Sequence, residues 1–457
     1  MNILLVNHHA GSPALGMEYR PYYLAREWVR LGHSVQILAA DFSHVRGRQP
    51  TCVLAPDAPN WLAGDEVVDG IGYRWFATPR YKGKGLGRMS NILAFLRAVW
   101  ADTPRLVSEF SPDVVIASST YPMDIWVARR IARRAGATLV YEVHDLWPLS
   151  LIELSGMSRR HPFIMLVQAA EDAAYRHADV VVSMLPKVHD YMASRGLDLS
   201  KLHVVPNGIP LDDGLRAPQP LGDDVARVLA AARAGGRTVV GYAGPMGLPN
   251  ALDTLFDAAA LLRDEPLQFV LVGTGPVRSR LVRRMADEGL RNVTLLAPIP
   301  KAQVAGFLGA VDIAYIGWKR VPFHRFGIAP NKLLDCMMAG VPVLHSVDAG
   351  NDPVAEAGCG LTVAPETPDA VAQGLRQLAA LSADERQAMG RRGYEFVRAH
   401  YSYAVLARRF IDALEAVHVN PVLPQHPNDA LAERSARRED EEFEHSLPTR
   451  VPPGHGT

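Results

Sequence analysis

The sequence predicts an α/β protein built from two doubly wound, Rossmann-like domains that face each other across a cleft. Short apolar segments alternate with amphipathic helical segments, and the alternation restarts in the second half of the 457 residues. A chain of this length is also too long for a single hydrophobic core. Strands joined by helices form parallel sheets, and ligands bind at the carboxyl ends of such strands.

The first predicted domain covers residues 1–210. Its strands are predicted at 3–6, 34–38, 114–117, 139–143, 180–184 and 203–205, with helices between them such as 18–31 and 122–135. Pro206, Asn207 and Gly208 interrupt the pattern. Residues 211–236, rich in Ala, Gly, Asp and Arg, are predicted as a linker with a variable helix.

The second predicted domain covers residues 237–402. Its strands are predicted at 238–242, 269–272, 293–296, 313–316, 341–344 and 360–363, and two helices are predicted within 383–416. Residues 418–457 are Pro-rich and charged, which predicts a disordered tail.

Composition excludes several functional classes. Lys plus Arg and Asp plus Glu both number 48, so a nucleic-acid partner is not expected. Cys52, Cys336 and Cys359 are far apart and form neither a metal-ligand pattern nor a disulfide framework, which fits a reducing, cytoplasmic location. The first residues lack the basic region of a signal peptide, and no apolar run approaches the roughly 20 residues of a membrane span.

The segment from Pro330 to Gly340 predicts a helix that begins near the proline and ends near the glycine. Lys332 lies at the positive end of the helix dipole, where a cation is disfavoured by about 0.3–1 kcal/mol unless an anion binds there. Asp335 follows on the same face. A phosphate on Lys332 and the free helix N–H groups, with a sugar hydroxyl on Asp335, outlines a nucleotide-diphosphate site. The alternative is an ordinary amphipathic helix.

Two glycine turns follow predicted strands of the second domain. Gly244 and Gly247 join a strand to a helix, where small residues permit close approach of a phosphate; the alternative is a plain tight turn. Gly273 and Gly275 start a similar turn, but Arg278 occupies the third glycine position of the dinucleotide fingerprint. A nicotinamide or flavin enzyme is therefore not indicated, and Gly273 is predicted to let its strand end near the cleft.

His144 and Asp145 follow a buried strand of the first domain, where side chains face the predicted cleft. His144 is predicted to bond to substrate hydroxyls or phosphate, with Asp145 orienting its imidazole. The alternative is a hydrogen-bonded turn histidine.

Gly11 and Gly16 lie in the loop after the first strand, where flexible backbone is predicted to close on an acceptor or a sugar phosphate. The alternative is a mobile loop with no ligand. Tyr19 and Arg20, which follow it, are predicted to start a helix rather than to act in catalysis.

The basic loop 80–88 precedes an apolar, aromatic helix. This combination predicts peripheral contact of 80–100 with an anionic membrane surface. The alternative is a helix facing the core beside a solvated loop. No Asp-x-Asp metal motif appears before the tail, so no metal cofactor is expected, and phosphate charge is left to Lys332, helix dipoles and Arg325.

Together these motifs resemble the retaining glycosyltransferases of family 4, which have the GT-B fold, over about residues 1–416. The likeness is strongest in the pattern Pro-Asn-Lys-x-x-Asp-x-Met-x-Ala-Gly-x-Pro-Val at 330–343. The run Tyr-Glu-Val-His-Asp-Leu-Trp-Pro at 141–148 is similar to the O-antigen and exopolysaccharide subgroup, which includes N-acetylfucosamine-type transferases.

The resemblance implies a specific division of labour. The second domain would bind a nucleotide-sugar, usually a UDP-sugar, with Asp335 on the ribose and Lys332 and the amides near Asn331 on the diphosphate. His144 would lie near the transferred sugar, of the N-acetylated hexosamine type. The first domain would bind a saccharide or polyprenyl-linked acceptor at the membrane, and the helix 403–417 would cross back to it. Cell-surface polysaccharide synthesis is the implied process.

The sequence departs from the family pattern in two places. The first Glu of the Glu-x7-Glu motif falls at Gly327, and the usual phosphate-binding Arg and Lys are absent from 244–250. Lys319, Arg320 or Arg325 are candidate replacements. A sugar-nucleotide 2-epimerase, which shares the fold, and a non-catalytic nucleotide-sugar-binding partner therefore stay open as alternatives.

Overall fold

Two sheets organise the chain, one in each half of the sequence, in a computed structural model that describes residues 1–16, 19–52, 59–83, 85–211 and 219–419. Both sheets lie in one compact unit, Met1–Leu414. The predicted α/β architecture with two parallel-sheet, Rossmann-like halves is confirmed. The predicted tail lies outside the described residues, except that 418 and 419 close the last helix.

The first sheet has eight strands: β1 (Asn2–Val6), β2 (Ser34–Ala40), β3 (Leu62–Val68), β4 (Ile71–Phe76), β5 (Val114–Ala117), β6 (Thr138–Val143), β7 (Val180–Ser183) and β8 (Leu202–Val204). Their order is β3-β4-β2-β1-β5-β6-β7-β8, parallel except for the antiparallel β3–β4 pair. The six predicted strands are confirmed. The β3–β4 hairpin was missed because its edge strand carries exposed polar residues, and such a strand lacks the apolar run of a buried one.

The helices of this half are α1 (Tyr19–Arg30), α2 (Leu86–Phe110), α3 (Asp124–Ala135), α4 (Leu149–Ser155), α5 (Pro162–His177) and α6 (His189–Ser194). Ile92, Phe95 and Val99 of α2 are buried in the core between helices and sheet. The prediction that these apolar residues of α2 face a membrane is therefore wrong. Membrane contact itself stays a prediction that rests on the basic loop 80–88, of which Lys84 lies outside the described residues.

The second sheet has six parallel strands: β9 (Thr238–Ala243), β10 (Leu267–Val272), β11 (Val293–Leu296), β12 (Ile313–Gly317), β13 (Val343–Ser346) and β14 (Gly360–Val363), in the order β11-β10-β9-β12-β13-β14. The six predicted strands are confirmed, although β13 begins two residues later than expected. Pro342 precedes it and has no N–H to donate to a neighbouring strand.

The helices of the second half are α7 (Asp223–Ala234), α8 (Leu252–Leu261), α9 (Arg278–Asp287), α10 (Lys301–Gly309), α11 (Asn331–Met338), α12 (Pro353–Ala357), α13 (Pro368–Ala380), α14 (Ala383–His400) and α15 (Tyr403–Val419). Of the predicted linker, 212–218 lie outside the described residues. Among the described helices of this half, α11 carries the segment that the sequence singled out. Pro330 is its N-cap rather than part of its first turn, and Gly340, with φ +69°, follows its end as expected.

Two contacts fix the last helices. A Cβ atom placed on Gly390 of α14 would lie 1.9 Å from the carbonyl oxygen of Gly340, so α14 packs directly on the backbone that follows α11. Trp28 of α1 donates from Nε1 to the carbonyl oxygen of Ala407 at 3.3 Å, and its ring lies 5.1 Å from that of Phe410. The early part of α15 therefore packs against the first half of the chain. No helix among the described residues is both long and apolar enough to cross a bilayer.

Candidate active site

A buried polar cluster lies where β5 and β6 end. Glu142 of β6 is fully buried, and Arg20 of α1 donates to its Oε1 from Nε at 3.0 Å. The Ser118 hydroxyl donates to Oε2 of Glu142 at 2.5 Å. His144 Nε2 lies 3.2 Å from the same Oε2 and 3.0 Å from the Ser118 Oγ. Four side chains from three separate parts of the sequence thus meet at one carboxylate.

Arg20 holds this carboxylate in its ionised form. Burial by itself raises the pKa of Glu142, but Arg20 and the bonds from His144 and Ser118 bring that pKa well below its usual value. The guanidinium also donates to the carbonyl oxygens of Pro206 at 2.6 Å and Val205 at 2.8 Å. Each of the three guanidinium nitrogens of Arg20 thus donates a hydrogen bond, and Arg20 ties α1 to the segment after β8.

The contacts of His144 define its tautomer. Because Nε2 faces an ionised carboxylate, we assign the ring proton to Nε2, which leaves Nδ1 as an acceptor. Nδ1 has no hydrogen-bond partner among the described residues, and this atom is not fully buried. The structure thus leaves one ring nitrogen of His144 without a protein partner, and its predicted bond to a substrate hydroxyl or phosphate stays a prediction.

Asp145 does not orient the imidazole, so this part of the prediction is wrong. Its Oδ2 accepts a hydrogen bond from the Ser150 Oγ of α4 at 2.9 Å. His144 contacts Glu142, two residues earlier in the chain, whereas the Asp145 carboxylate is engaged by α4. Glu142, Arg20 and Ser118 were missed, although a glutamate in a buried strand already signals a charged partner.

Lys332, predicted to bind phosphate, lies in a half-buried setting at the start of α11. Its Nζ hydrogen-bonds to Oδ1 of Asn250 and lies 4.1 Å from the centroid of the Trp318 ring. Burial lowers the pKa of Lys332 to about 8. Asn250 donates in turn to the carbonyl oxygen of Pro245 at 2.9 Å, as does the hydroxyl of Tyr242 at 2.7 Å. Lys332 is thereby linked to the turn that begins at Gly244.

The two glycine turns contact each other closely. A Cβ atom on Gly273 would lie 2.0 Å from the carbonyl oxygen of Gly244, and both residues have φ near +150°. Only glycine permits this contact. Gly247 differs, since its φ is −109° and a Cβ atom there would lie 3.6 Å from the nearest atom, Cδ of Pro249. Gly244 and Gly273 therefore shape the backbone beside Lys332, whereas Gly247 does not require glycine for the fold.

The first turn of α11 leaves its backbone N–H groups without a side-chain cap. Asn331 is exposed at this end, and Asp335, one turn beyond Lys332, is partly exposed. The structure thus gathers the free helix end, Lys332 and the Gly244 turn in one region. Their roles toward diphosphate and ribose stay predictions.

Arg325 already has other partners in this structure, and its predicted phosphate role stays a prediction. Its guanidinium donates to both carboxylate oxygens of Glu153 on α4, at 2.8 and 2.7 Å, and stacks 4.2 Å from the ring centroid of Phe326. Arg325 therefore joins the two halves of the chain. Of the other candidate replacements, Arg320 pairs with Asp348 at 3.4 Å.

A cavity of about 290 Å³ lies beside the Arg325–Glu153 pair. Its lining includes Tyr191 and Arg195 of the first half. Neither His144 nor Lys332 lines it, so we do not assign the chemistry to it. The candidate site is defined by the two polar clusters.

The surroundings of Gly327 show why the first Glu of the family motif is absent at this position. A Cβ atom on Gly327, which has φ +96°, would lie 2.5 Å from Cδ of Pro186 and 2.8 Å from Oδ1 of Asn351. The neighbouring backbone N of Lys187 donates to the carbonyl oxygen of Phe326 at 3.0 Å. The side chains of Pro186 and Asn351 therefore occupy the space that a longer side chain at 327 would need.

The loop that contains Gly11 and Gly16 is packed against its surroundings. The hydroxyl of Tyr73 donates to the carbonyl oxygen of Gly11 at 3.0 Å, and Arg48 N donates to that of Leu15 at 3.0 Å. Gly16 has φ +83° and approaches Gly47. These contacts hold the loop in one conformation, and its role toward an acceptor stays a prediction.

Within the described ranges, no three His, Cys, Asp or Glu side chains gather as a metal site would require. Metal independence itself stays a prediction, because the ligands of a donor complex also include substrate oxygens.

Comparison with known proteins matches both halves of the chain. Residues 16–208 match the family model described as "Glycosyl transferase 4-like domain", and residues 237–380 match "Glycosyl transferases group 1". The chain is 23% identical over 373 residues to the putative colanic acid biosynthesis glycosyl transferase WcaI of Escherichia coli, covering 76% of this chain and 86% of that protein.

Solved structures share the fold at low sequence identity. Sucrose-phosphate synthase from Thermosynechococcus elongatus superposes with a TM-score of 0.64 at 18% identity, over 91% of this chain and 99% of that one. HepE of Anabaena, in complex with UDP and glucose, gives a TM-score of 0.58 at 16% identity, over 91% and 99% of the two chains. At these identities the likenesses show the two-domain architecture of this chain.

Proposed function

Because the chain is a glycosyltransferase with the GT-B fold, we propose that it transfers a sugar from a UDP-sugar to a saccharide or polyprenyl-linked acceptor with retention of configuration. The observation that carries the proposal is the half-buried Lys332 beside an uncapped helix start and two tightly packed glycine turns. A partly desolvated cation next to free backbone N–H groups is suited to a diphosphate. The HepE structure, which contains UDP, supports the choice of nucleotide.

In this proposal Lys332 and the first amides of α11, near Asn331, hold the diphosphate, and Asp335 holds the ribose. Negative charge grows on the diphosphate as the bond to the sugar breaks. A preorganised cation and helix end stabilise that charge more strongly than water does. Lys332 therefore serves both donor binding and departure of UDP.

The transfer breaks the bond between the sugar C1 and the diphosphate oxygen and forms a bond between C1 and the acceptor oxygen on the same face. The acceptor proton moves to the leaving diphosphate. Glu142 contacts His144 but is fully buried and held by Arg20, so it positions the imidazole instead of attacking C1. His144 accepts a hydrogen bond from a sugar hydroxyl through Nδ1 and fixes the donor or the acceptor.

We assign the donor sugar to the N-acetylated hexosamine type and the process to cell-surface polysaccharide synthesis. The resemblance of 141–148 to exopolysaccharide and O-antigen transferases supports the first, and the likeness to WcaI supports the second. A polyprenyl-linked acceptor places the enzyme at the inner face of the cell membrane, where the exposed Arg80 and Lys82 would meet anionic headgroups.

The first test is thermal stabilisation by UDP, GDP, dTDP and NAD, with Lys332→Ala and Asp335→Ala beside the wild type. We expect a shift with UDP that both variants lose. A shift with GDP or dTDP instead would change the donor class, and unchanged UDP affinity in both variants would refute the site.

Product analysis then separates the alternatives. UDP-N-acetylhexosamine with a lipid-linked saccharide should give a product of retained configuration. A changed nucleotide-sugar formed without any acceptor would identify a 2-epimerase. Donor binding without turnover for any acceptor tested would identify a non-catalytic binding partner.

A further inference from the structure

A second cluster of buried rings lies directly after β1, next to the His144 group. His8 and His9 are both buried, and their rings stack with centroids 4.3 Å apart. His8 uses both ring nitrogens, since Nε2 lies 2.7 Å from Oδ1 of Asn91 and Nδ1 lies 2.8 Å from the Tyr121 hydroxyl. Both ring nitrogens of His8 therefore have protein partners.

His9 has an unpaired nitrogen although its side chain lies inside the protein. The residue is 2% exposed, and its Nε2 has no hydrogen-bond partner among the described residues. Nδ1 lies 3.0 Å from Oγ of Ser43, which also accepts from Val45 N at 3.5 Å. The Ser43 hydroxyl has its own proton to donate, so we assign that donation to Nδ1 and the ring proton of His9 to Nε2. Buried donors in native proteins are rarely left without an acceptor.

The neighbours of His9 lead to the start of α2. The His44 ring meets the His9 ring edge-on at 5.7 Å, and its Nδ1 lies 2.6 Å from the Tyr81 hydroxyl. Tyr81 packs on the first turn of α2. A Cβ atom placed on Gly87 of that turn would lie 3.0 Å from the Cβ atom of Tyr81. His9, His44 and the first turn of this 25-residue helix therefore surround one place.

This place is electropositive. The α2 N-cap, Gly85, provides no side-chain cap, and the first turn carries no acidic residue. Burial lowers the pKa of His9 and of His44, and the positive charge of Arg88, in that turn, lowers both further. Within the described ranges Arg88 makes no hydrogen bond or ion pair. A free guanidinium, an uncapped helix start and a buried N–H donor call for an anion with several oxygens.

We propose that His9, His44, Arg88 and the start of α2 form a subsite for a phosphate or diphosphate group carried by the acceptor. The inference rests on the proposed transferase function, because it names the chemical class of the acceptor. The phosphate oxygens accept from Nε2 of His9, the Arg88 guanidinium and the first N–H groups of α2.

The subsite is continuous with the His144 cluster. The backbone N of His9 donates to Oδ1 of Asn7 at 3.2 Å, and Asn7 Nδ2 donates to the carbonyl oxygen of Ser118 at 2.5 Å. Ser118 contacts His144 directly. A phosphorylated saccharide held at His9 thus presents its hydroxyl groups on the side of the sheet where His144 lies.

The test measures binding of inorganic pyrophosphate and of farnesyl diphosphate by calorimetry. It uses the full chain with Lys332→Met, so that neither probe binds at the donor site. We expect both probes to bind, and Arg88→Gln added to this background to weaken each by about tenfold or more. His9→Phe, which keeps the ring stack but loses the N–H, should act in the same direction. Arg97→Gln, an exposed change of equal charge on the same helix, is the matched control.

The outcomes separate the sources of phosphate. Tighter binding of farnesyl diphosphate supports a lipid-linked acceptor, and equal affinities support the phosphate group alone as the recognised element. No pyrophosphate binding in the Lys332→Met protein, or binding that Arg88→Gln leaves unchanged, overturns the subsite. UDP affinity of the single Arg88→Gln variant is measured in parallel: its retention shows that the donor site stands independently of this inference.

Discussion

Oε2 of Glu142 in β6 lies 3.2 Å from Nε2 of His144, which follows the last residue of that strand. The contact requires that both side chains point to one side of the strand end. It makes the imidazole orientation depend on a carboxylate that itself depends on Arg20, 122 residues away in the sequence.

Glu142→Gln should lower kcat by about 100-fold, because a loosened imidazole no longer holds the reacting group in place. KM for the donor should change little, since Lys332 lies outside this cluster. Steady-state kinetics with UDP-sugar and acceptor measure both constants. Asp145→Asn is the matched control and should leave kcat near wild type; equal losses in the two variants would contradict the assignment.

The same substitution should also destabilise the protein. Removing one partner of a buried ion pair leaves Arg20 uncompensated, at about 3–5 kcal/mol in the free energy of unfolding. The double variant Arg20→Gln/Glu142→Gln should recover part of this stability in denaturant unfolding without recovering kcat. Recovery of kcat in the double variant would show that the charge pair serves folding alone.

UDP affinity should fall as pH rises through about 8. Burial lowers the pKa of Lys332 to about 8, so the lysine is cationic below that pH and loses its charge above it. Because the bound anion favours the cation, affinity should fall by up to about tenfold per pH unit above the pKa. Calorimetric titrations between pH 7 and 9.5 test this, and Lys332→Arg should flatten the dependence.

Arg325→Gln and Glu153→Gln should behave alike. Both remove one half-exposed ion pair, so each should change the free energy of unfolding by less than about 1 kcal/mol. UDP affinity should be unchanged in both. A loss of UDP affinity in the arginine variant alone would support the phosphate role that the sequence predicted.

Gly327→Ala should destabilise the protein more than Gly340→Ala. Gly340, with φ +69°, disfavours alanine by about 1–2 kcal/mol, and Gly327, with φ +96° and ψ 177°, lies in a region that is essentially restricted to glycine. Only Gly327 lacks space, so its variant also carries an overpacking term of about 1–3 kcal/mol. Thermal unfolding of the two variants under one condition measures the difference, and equal melting temperatures would refute the contact with Pro186.

Gly273→Ala should disrupt the turn beside Lys332, whereas Gly247→Ala should leave the melting temperature unchanged. The first would place a methyl group 2.0 Å from the carbonyl oxygen of Gly244, and the second has ordinary backbone angles and room. If Gly247→Ala nevertheless loses UDP affinity, the phosphate approaches that backbone closely, as the sequence predicted.

The spacing of apolar residues along the sequence was sufficient to predict most of the strands and helices. Parallel strands buried on both faces, such as β5 and β10, appear as continuous apolar runs, and the segments between them have helical period. The β3–β4 hairpin was not predicted, because an exposed, charged edge strand such as β3 lacks a continuous apolar run. Helix α11 was recognisable because Pro330, Gly340 and its dipole all act within one segment.

Partners that are distant in sequence could not be predicted in the same way. Glu153 lies 172 residues from Arg325, and nothing near the arginine shows that it is already paired. Pro186 fills the space beside Gly327 from the other half of the chain. The carboxylate that contacts His144 is Glu142, but it was assigned to the neighbouring Asp145, since adjacency in sequence was the only available guide.

Because Gly390 lies against the carbonyl oxygen of Gly340, a substitution at this distant position should affect the candidate donor site. Position 390 lies on α14, with no proposed contact to any substrate, yet a single added methyl group there would press on the backbone that ends α11. A helix of eight residues transmits such a displacement along its length to Lys332 at its other end. Random mutagenesis for altered donor use would therefore find variants far from the sugar, on the outer side of the second sheet's helical layer.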